Sequence, residues 1–176
     1  VTYMLYEDRV DDKQLSFNSI LNGKISNHVF YDGSLNYKSL KSENFAEVLD
    51  LLGGTGFLNV DSFDGVQFDL RNPNAIAKVG DKYSYNYNMM AQVLSGFAQM
   101  QFKYNKIDFF TSLNITNTQY QREGLFQPEN FLDNSYGKGS KLSFTGIGAK
   151  GGFTYKLSGK HVFDANLGII TKAPSI

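Results

Sequence analysis

The chain has 176 residues, with 17 basic and 17 acidic side chains and no cysteine. The balanced charge gives no electrostatic footprint for nucleic acid, so we expect no nucleic-acid partner. The lack of cysteine excludes disulfides, thiolate metal sites and cysteine nucleophiles, and no apolar run is long enough for a transmembrane helix.

The first forty residues predict one β-hairpin. Residues 1–6 are a short β-rich run, and residues 7–14 read as a polar turn. The segments 15–25 and 29–39 then alternate apolar and polar side chains with a period of two. This period predicts strands, because successive side chains of a strand point to opposite faces.

Residues 40–83 break this alternation and form a long connection with a predicted helix over residues 42–52. Ser42 suits the N-cap, and Gly53 and Gly54 suit the stop. A stripe of apolar side chains at helical spacing supports the helix. The stripe consists of Phe45, Val48, Leu49 and Leu52.

The central stretch predicts a second hairpin, residues 90–104 with 107–121, joined by a two-residue turn. Each arm holds about fifteen residues, whereas strands of soluble proteins mostly hold about five or six. One face is apolar and the other carries charges and amides. This is the pattern of a transmembrane β-barrel strand, although a long hairpin of a soluble sandwich has it too.

A second irregular connection over residues 121–141 precedes a third hairpin, 142–157 with 161–171. At all three short turns the flanking residues fall on the apolar face, as a hairpin requires. The expected pairs across the turns are Ile25 with Val29, Tyr104 with Ile107, and Leu157 with His161.

The connections sort by length. The three turns are minimal, whereas the connections 40–83 and 121–141 are long, and antiparallel pairing sends the two kinds to opposite ends of the sheet. Short periplasmic turns with long extracellular loops are typical of outer-membrane barrels. Six strands are too few to close a barrel, and Val1 is not an initiator methionine. We therefore expect an interior or processed piece of a longer barrel protein.

Signals for catalysis or metal binding are weak. His28 and His161 lie at short turns, and the acidic turn at 59–65 lacks the spacing of a calcium loop. We therefore predict no catalytic residue, no cofactor and no metal site, and the chain is not expected to be an enzyme.

Three sets of side chains fit the two faces of a barrel. Glycines on the polar face of one strand leave clearance for a plug domain or let the sheet bend, and both interpretations stay open. They are Gly146, Gly148 and Gly152. Lysines predicted to face the lumen are Lys24, Lys38, Lys103, Lys150 and Lys156. Outward aromatics that suit an interfacial girdle are Tyr31, Tyr104, Phe109, Tyr155 and Phe163.

Several short motifs occupy residues 43–53, 72–74, 80–83, 105–110, 122–124, 134–138, 148–152 and 172–174. In their order and spacing these motifs resemble the mid-barrel region of TonB-dependent outer-membrane receptors, in the group with an N-terminal carboxypeptidase-regulatory-like domain. The resemblance implies an all-β, antiparallel, 22-stranded transmembrane barrel in the outer membrane of a Gram-negative bacterium. The energy-coupling box and the plug of the family have no counterpart in these residues.

The resemblance further implies energised uptake of a scarce ligand. The implied partners are outer-membrane lipid, the plug domain, the remaining strands and a TonB-type coupling system. The ligand is unknown, and any contacts with it are expected in the loops 40–83 and 121–141. The alternative function is a soluble all-β module that binds a ligand or a glycan through its long loops.

Overall fold

The computed structural model describes residues 3–175, which form an all-β fold without an α-helix. Seven strands build one antiparallel sheet. The sheet is open, so the described residues do not close into a barrel. No helix among residues 3–175 is long and apolar enough to cross a membrane.

Most strands are far longer than is usual, and very short elements lie in the connections. The long strands are β1 (Leu5–Lys24), β2 (Val29–Asp50), β5 (Lys82–Lys103), β6 (Ile107–Gly124), β8 (Leu142–Lys156) and β9 (Val162–Ile170). The short elements are β3 (Phe57–Leu58), β4 (Ile76–Ala77), a 3₁₀ turn at Glu129–Phe131 and β7 (Gly137–Lys138). The order along the large sheet is β1-β2-β5-β6-β8-β9, with β7 paired to β6 and with β1 and β9 at the edges. β3 and β4 pair with each other as a separate two-stranded sheet.

All three predicted hairpins are confirmed, and so are the pairs across their turns. The amide of Ile25 donates to Val29 O at 2.9 Å, and the amide of Tyr104 donates to Ile107 O at 3.0 Å. The amide of Leu157 donates to His161 O at 3.0 Å. Period-two patterning together with turn length was therefore sufficient to fix these registers.

The predicted helix over residues 42–52 is wrong, because residues 42–50 continue strand β2. Phe45 and Val48 are both buried but point to opposite faces of the strand, as their odd and even positions require. Leu49 and Leu52 are about half exposed. Strands β1 and β5 bond β2 along both edges, and this tertiary pairing outweighs a weak local helix preference.

The predicted polar turn over residues 7–14 is also wrong, since these residues belong to β1. The charged side chains of Glu7, Arg9 and Asp11 alternate along one face, where Arg9 reaches Glu47 of the neighbouring strand. Of the predicted β-rich run 1–6, residues 1 and 2 lie outside the described residues, and Leu5 and Tyr6 open β1.

The two long connections are shorter than the sequence predicted. Strand β2 reaches Asp50 and β5 starts at Lys82, so the first connection covers residues 51–81. Strand β6 reaches Gly124 and β8 starts at Leu142, so the second covers residues 125–141.

The chain divides into two compact units. We call residues 15–39, 92–119 and 143–175 the hairpin unit, because it contains the three short turns. We call residues 3–14, 40–91 and 120–142 the loop unit, because it contains both long connections. The buried hydrophobic side chains of the described chain all belong to the loop unit. They are Phe45, Ala46, Val48, Leu51 and Ala77.

Candidate ligand-binding surface

The first long connection begins at a tight turn directly after β2. Leu52 and Gly53 both have positive φ, and the amide of Gly54 donates to Leu51 O at 2.9 Å. The Asp50 carboxylate accepts the amide of Leu52 at 2.8 Å. The turn places Leu51 in a small core with Val48 and Ala77, so the connection is held against its own strand.

Aromatic rings gather around Tyr83 at the start of β5. Tyr6, Phe57 and Phe68 each meet the Tyr83 ring edge to face, with centroids 5.4, 5.9 and 6.2 Å away. Edge-to-face pairs at such distances stabilise beyond the area that they bury. The cluster therefore joins β1, β5 and the first connection.

Asn59 fixes the path of the first connection through hydrogen bonds. Only 5% of this residue is exposed. Its side-chain Oδ1 accepts the amide of Ser84 at 3.0 Å, and its own amide donates to Ala75 O at 2.8 Å. Ser84 has a φ of 63°, so the bond from Asn59 supports a strained backbone position at the start of β5.

A polar cavity of about 460 Å³ opens among these elements of the loop unit. Its lining includes Asn59, Asp69, Asn72, Asp81 and Phe126. Phe126 comes from the second connection and the other four residues from the first, so both connections contribute to one cavity. The lining offers carboxylates, amides, the Lys82 side chain and one aromatic ring, which are groups that bind polar ligands.

The second connection lies close to strands β5 and β6. Arg122 donates from Nη1 to Ser135 O at 3.0 Å, and its guanidinium lies 5.1 Å from the Tyr87 ring centre. A Cβ atom at Gly124 would overlap the Ser135 carbonyl, so this close backbone approach requires glycine. The sequence motif Arg122-Glu123-Gly124 thus has a structural reason.

A charged ladder covers Phe45 in the loop unit. Lys82 Nζ and the Arg9 guanidinium lie 4.2 and 5.4 Å from the Phe45 ring centre. Lys82 pairs with Glu43, and Arg9 Nη1 pairs with Glu47 Oε2 at 2.8 Å. The cations screen the ring from water, so that only 2% of Phe45 is exposed.

Glu43 and Tyr85 are two of the groups in the loop unit whose pKa values are displaced. The hydrogen bond from Lys82 lowers the pKa of the Glu43 carboxyl, and the charge of Lys82 lowers it further, against burial. Burial raises the pKa of the Tyr85 hydroxyl to about 12, with a further contribution from its hydrogen bond to Asp8. The Tyr85 hydroxyl donates this bond to Asp8 Oδ1 at 2.7 Å.

The histidines take part in turn structure. His28 Nδ1 donates to Lys103 O at 2.8 Å, and its ring stacks on Tyr104 with centroids 4.9 Å apart. The backbone carbonyl of His161 closes the third turn. The acidic turn is structural as well: Asp61 accepts the amide of Phe63, and Asp64 accepts the amide of Val66.

The lysines predicted on the polar face differ in their contacts. Lys156 Nζ pairs with Asp108 Oδ2 at 2.8 Å, and Lys103 Nζ lies 5.1 Å from the Phe30 ring centre. Of the glycines, Gly152 faces the ring of Phe110, whose Cε1 lies 2.7 Å from where a Cβ would stand. The space above Gly152 is therefore filled by this chain.

Four of the five predicted outward aromatics are exposed near the short turns, whereas Tyr31 is only partly exposed and its ring lies over Gly23. Tyr104 and Phe109 stack with centroids 6.3 Å apart, and Phe153 lies 5.9 Å from Phe163. Tyr104, Phe109, Tyr155 and Phe163 are each more than a third exposed.

Within residues 3–175, no group of three or more histidine, cysteine or acidic side chains could hold a metal ion. The residues that shape the loop unit were not predicted from the sequence, above all Asn59, Asp69 and the cations around Phe45. One signal for the ladder was available. Glu43, Phe45 and Glu47 alternate with Asn44 and Ala46, which fits a strand as well as a helix.

Comparison of this chain with protein-family models, with curated proteins and with solved structures finds no match.

Proposed function

We propose that this chain is a segment of an outer-membrane β-barrel receptor of the TonB-dependent type, with its apolar sheet face in lipid. The three short turns would lie at the periplasmic end and the two long connections outside the cell. The edge strands β1 and β9 would be continued by further strands of the barrel, and the polar face would meet a plug domain.

The observation that carries this proposal is the reversed burial in strand β6. Ser112 and Thr118 are only 6% exposed, whereas Leu113 and Ile115 between them are 59% and 57% exposed. Exposure alternates residue by residue from Ile107 to Thr116. A water-soluble sheet hides its apolar face, whereas a barrel strand in lipid presents it outward.

Strand length supports the same function. The parts of the long strands that belong to the hairpin unit hold from nine residues in β9 to fourteen in β8. A strand tilted by about 45° needs about 9–11 residues to cross the hydrocarbon core. The exposed aromatics Tyr104, Phe109 and Phe163 near the short turns suit one interfacial girdle of a barrel.

Along single strands, the side chains on one face change from apolar to charged. This change marks where the lipid-facing apolar surface would end. In β1 the odd positions are charged at Glu7, Arg9 and Asp11, but apolar at Leu15 and Phe17. In β2 the same change separates Tyr37 from Lys41 and Glu43. Charges are costly in lipid, so the charged ladder would stand above the bilayer.

On this account the ligand contacts lie in the loop unit. Its cavity receives residues from both long connections, and its lining is polar. The uptake itself would need the plug and the energy-coupling system of the inner membrane, which lie beyond these residues. The ligand is unidentified.

The proposal is tested by fractionating cells that express the full-length protein. We expect the protein to stay in the membrane pellet after an alkaline wash and to be released only by detergent. A protein that is monodisperse in buffer without detergent would contradict the proposal. That result would favour the alternative, a soluble all-β module that binds its ligand through the long connections.

A further inference from the structure

We propose that residues 67–71 and 127–136 form a clasp that makes the two long connections one body, so that they open and close together. The clasp itself follows from contacts within the loop unit, and its role in ligand capture rests on the proposed function.

Backbone hydrogen bonds join the two connections at two places. The amide of Leu70 donates to Gln127 O at 2.9 Å, and the amide of Glu129 donates to Gln67 O at 3.0 Å. The Glu129 carboxylate also accepts the amide of Gln67 at 3.0 Å. Residues 67 and 129 therefore bond each other in both directions, so neither connection can move here alone without breaking bonds.

Asp69 is the hub of the clasp. Its Oδ1 accepts the amide of Arg71 at 3.2 Å within the first connection and the amide of Gln127 at 3.1 Å in the second. Only 8% of the residue is exposed. A carboxylate that accepts two amides in a largely dry site bonds more strongly than a neutral acceptor does.

Further contacts brace each side. The Arg71 guanidinium lies 4.1 Å from the ring centre of Tyr136, which belongs to the second connection. On the first connection, Gln67 exchanges two hydrogen bonds of 2.9 Å with Asn74. The bond between Gln67 and Glu129 is therefore made by a residue that is itself held in place.

Because of the clasp, a ligand that binds to one connection also affects the position of the other connection. Opening the surface requires the contacts at Asp69, Glu129 and Arg71 to break together, because they all lie between the same two segments. Two independent loops would instead open one at a time, each with its own rate.

Hydrogen exchange of the full-length protein tests the clasp, with peptides that cover residues 66–72 and 125–131. In the native protein we expect both peptides to be protected. Asp69→Ala should speed exchange in both by about tenfold or more, since a buried hydrogen bond to a charged group is lost. Asp61→Ala is the matched control. Asp61 also accepts an amide two residues on, but its carboxylate makes no hydrogen bond to the second connection. This control should affect residues 61–66 only.

If Asp69→Ala prevents folding, Glu129→Ala takes its place, because Glu129 is exposed and loses only the bond to Gln67. It should speed exchange in both peptides by a few fold. Acceleration confined to residues 66–72 would overturn the clasp, and so would a lack of protection in the native protein. Because no ligand or transport is measured, either result is independent of the membrane proposal.

Discussion

The two units of this chain share the same long strands but bury opposite kinds of side chain. The loop unit buries Phe45, Val48 and Leu51 and places charges around them, as a protein in water does. The hairpin unit buries Ser112 and Thr118 and exposes Leu113 and Ile115. Burial follows the surroundings that a segment must tolerate, and this contrast is what the proposed membrane location of the hairpin unit requires.

The contrast also shows what stabilises each unit. In the loop unit an aromatic cluster, the small apolar core and the ion pairs hold long connections that have little secondary structure of their own. In the hairpin unit the described side chains make polar contacts on one face, such as Gln101 with Asp32 and Lys156 with Asp108, and ring contacts such as Phe153 with Phe163 on the other. Its apolar face must gain its stabilisation from whatever covers it, and on our account this is lipid.

The largest expected effect lies in the core of the loop unit. Phe45→Ala should cost about 3–5 kcal/mol, because it removes a buried ring and leaves a cavity. The free energy of local opening, measured by hydrogen exchange of the β2 amides around residue 45, reports this loss. Phe63→Ala is the control: Phe63 is fully exposed, so its removal should change stability by less than about 0.5 kcal/mol. Equal effects of the two substitutions would contradict the packing described here.

The next effect concerns the apolar face of the hairpin unit. Leu113→Arg in the full-length protein should cost about 2–4 kcal/mol of folding stability in bilayers, because its charge would lie near the bilayer midplane. The neighbouring Asn114→Arg should cost far less, because its side chain points to the polar face. Equilibrium unfolding in lipid vesicles measures both. A larger cost for Asn114→Arg than for Leu113→Arg would reverse the assignment of the faces.

A smaller effect is expected at the edge of the aromatic cluster. Tyr85→Phe removes the hydroxyl that donates to Asp8, and should cost about 1 kcal/mol. Absorbance titration tests the surroundings of the same hydroxyl, since burial and the bond to Asp8 together raise the pKa of Tyr85 to about 12. A tyrosine that ionises near 12 in the native protein and is missing in Tyr85→Phe would identify this residue. If the two titrations are the same, the Tyr85 hydroxyl does not have the buried, hydrogen-bonded surroundings described here.

The smallest effect is a pH dependence in the charged ladder. Because the pKa of Glu43 is lower in the folded than in the unfolded chain, its pairing with Lys82 stabilises the fold above the ordinary range of a glutamate pKa. This contribution is lost as the pH falls through the folded-state pKa. The melting temperature of the native protein should therefore exceed that of Glu43→Gln at neutral pH, and the gap should close in acid. A gap that is independent of pH would exclude the ion pair as its cause.

The sequence predicted the hairpins because the information was local. Alternation identifies a strand, and a turn of two or three residues fixes which residues meet, as Tyr104 and Ile107 do. Both faces of β6 and β8 could therefore be assigned from parity alone.

The upper part of β2 could not be predicted in this way. Phe45 and Ala46 are adjacent and both buried, so the alternation of apolar and polar side chains disappears where both faces of the strand are covered. The side chains that cover Phe45 are distant in sequence, Arg9 on β1 and Lys82 on β5. The apolar residues there fit a helix as well as a strand, and only the pairing of β2 with its two neighbouring strands favours the strand.

The clasp could not be predicted from the sequence either, because its contacts also join residues that are distant in sequence. Asp69 and Gln127 are 58 positions apart, and nothing in the local pattern of either segment indicates that they meet. Asp61 and Asp69 are both aspartates in irregular segments, and in the structure each accepts an amide two positions on. Their difference lies in burial and in the partner that the other connection supplies.

The membrane account is tested most directly by spin labels at positions 113 and 114 of the full-length protein in bilayers. Each label is read against oxygen, which concentrates in lipid, and against a water-soluble relaxant. The account predicts high oxygen access at 113 and little at 114, where the side chain points to the polar face. A label at 113 that neither reagent reaches, as in a dry protein core, or that the water-soluble relaxant reaches more readily than oxygen, would contradict it.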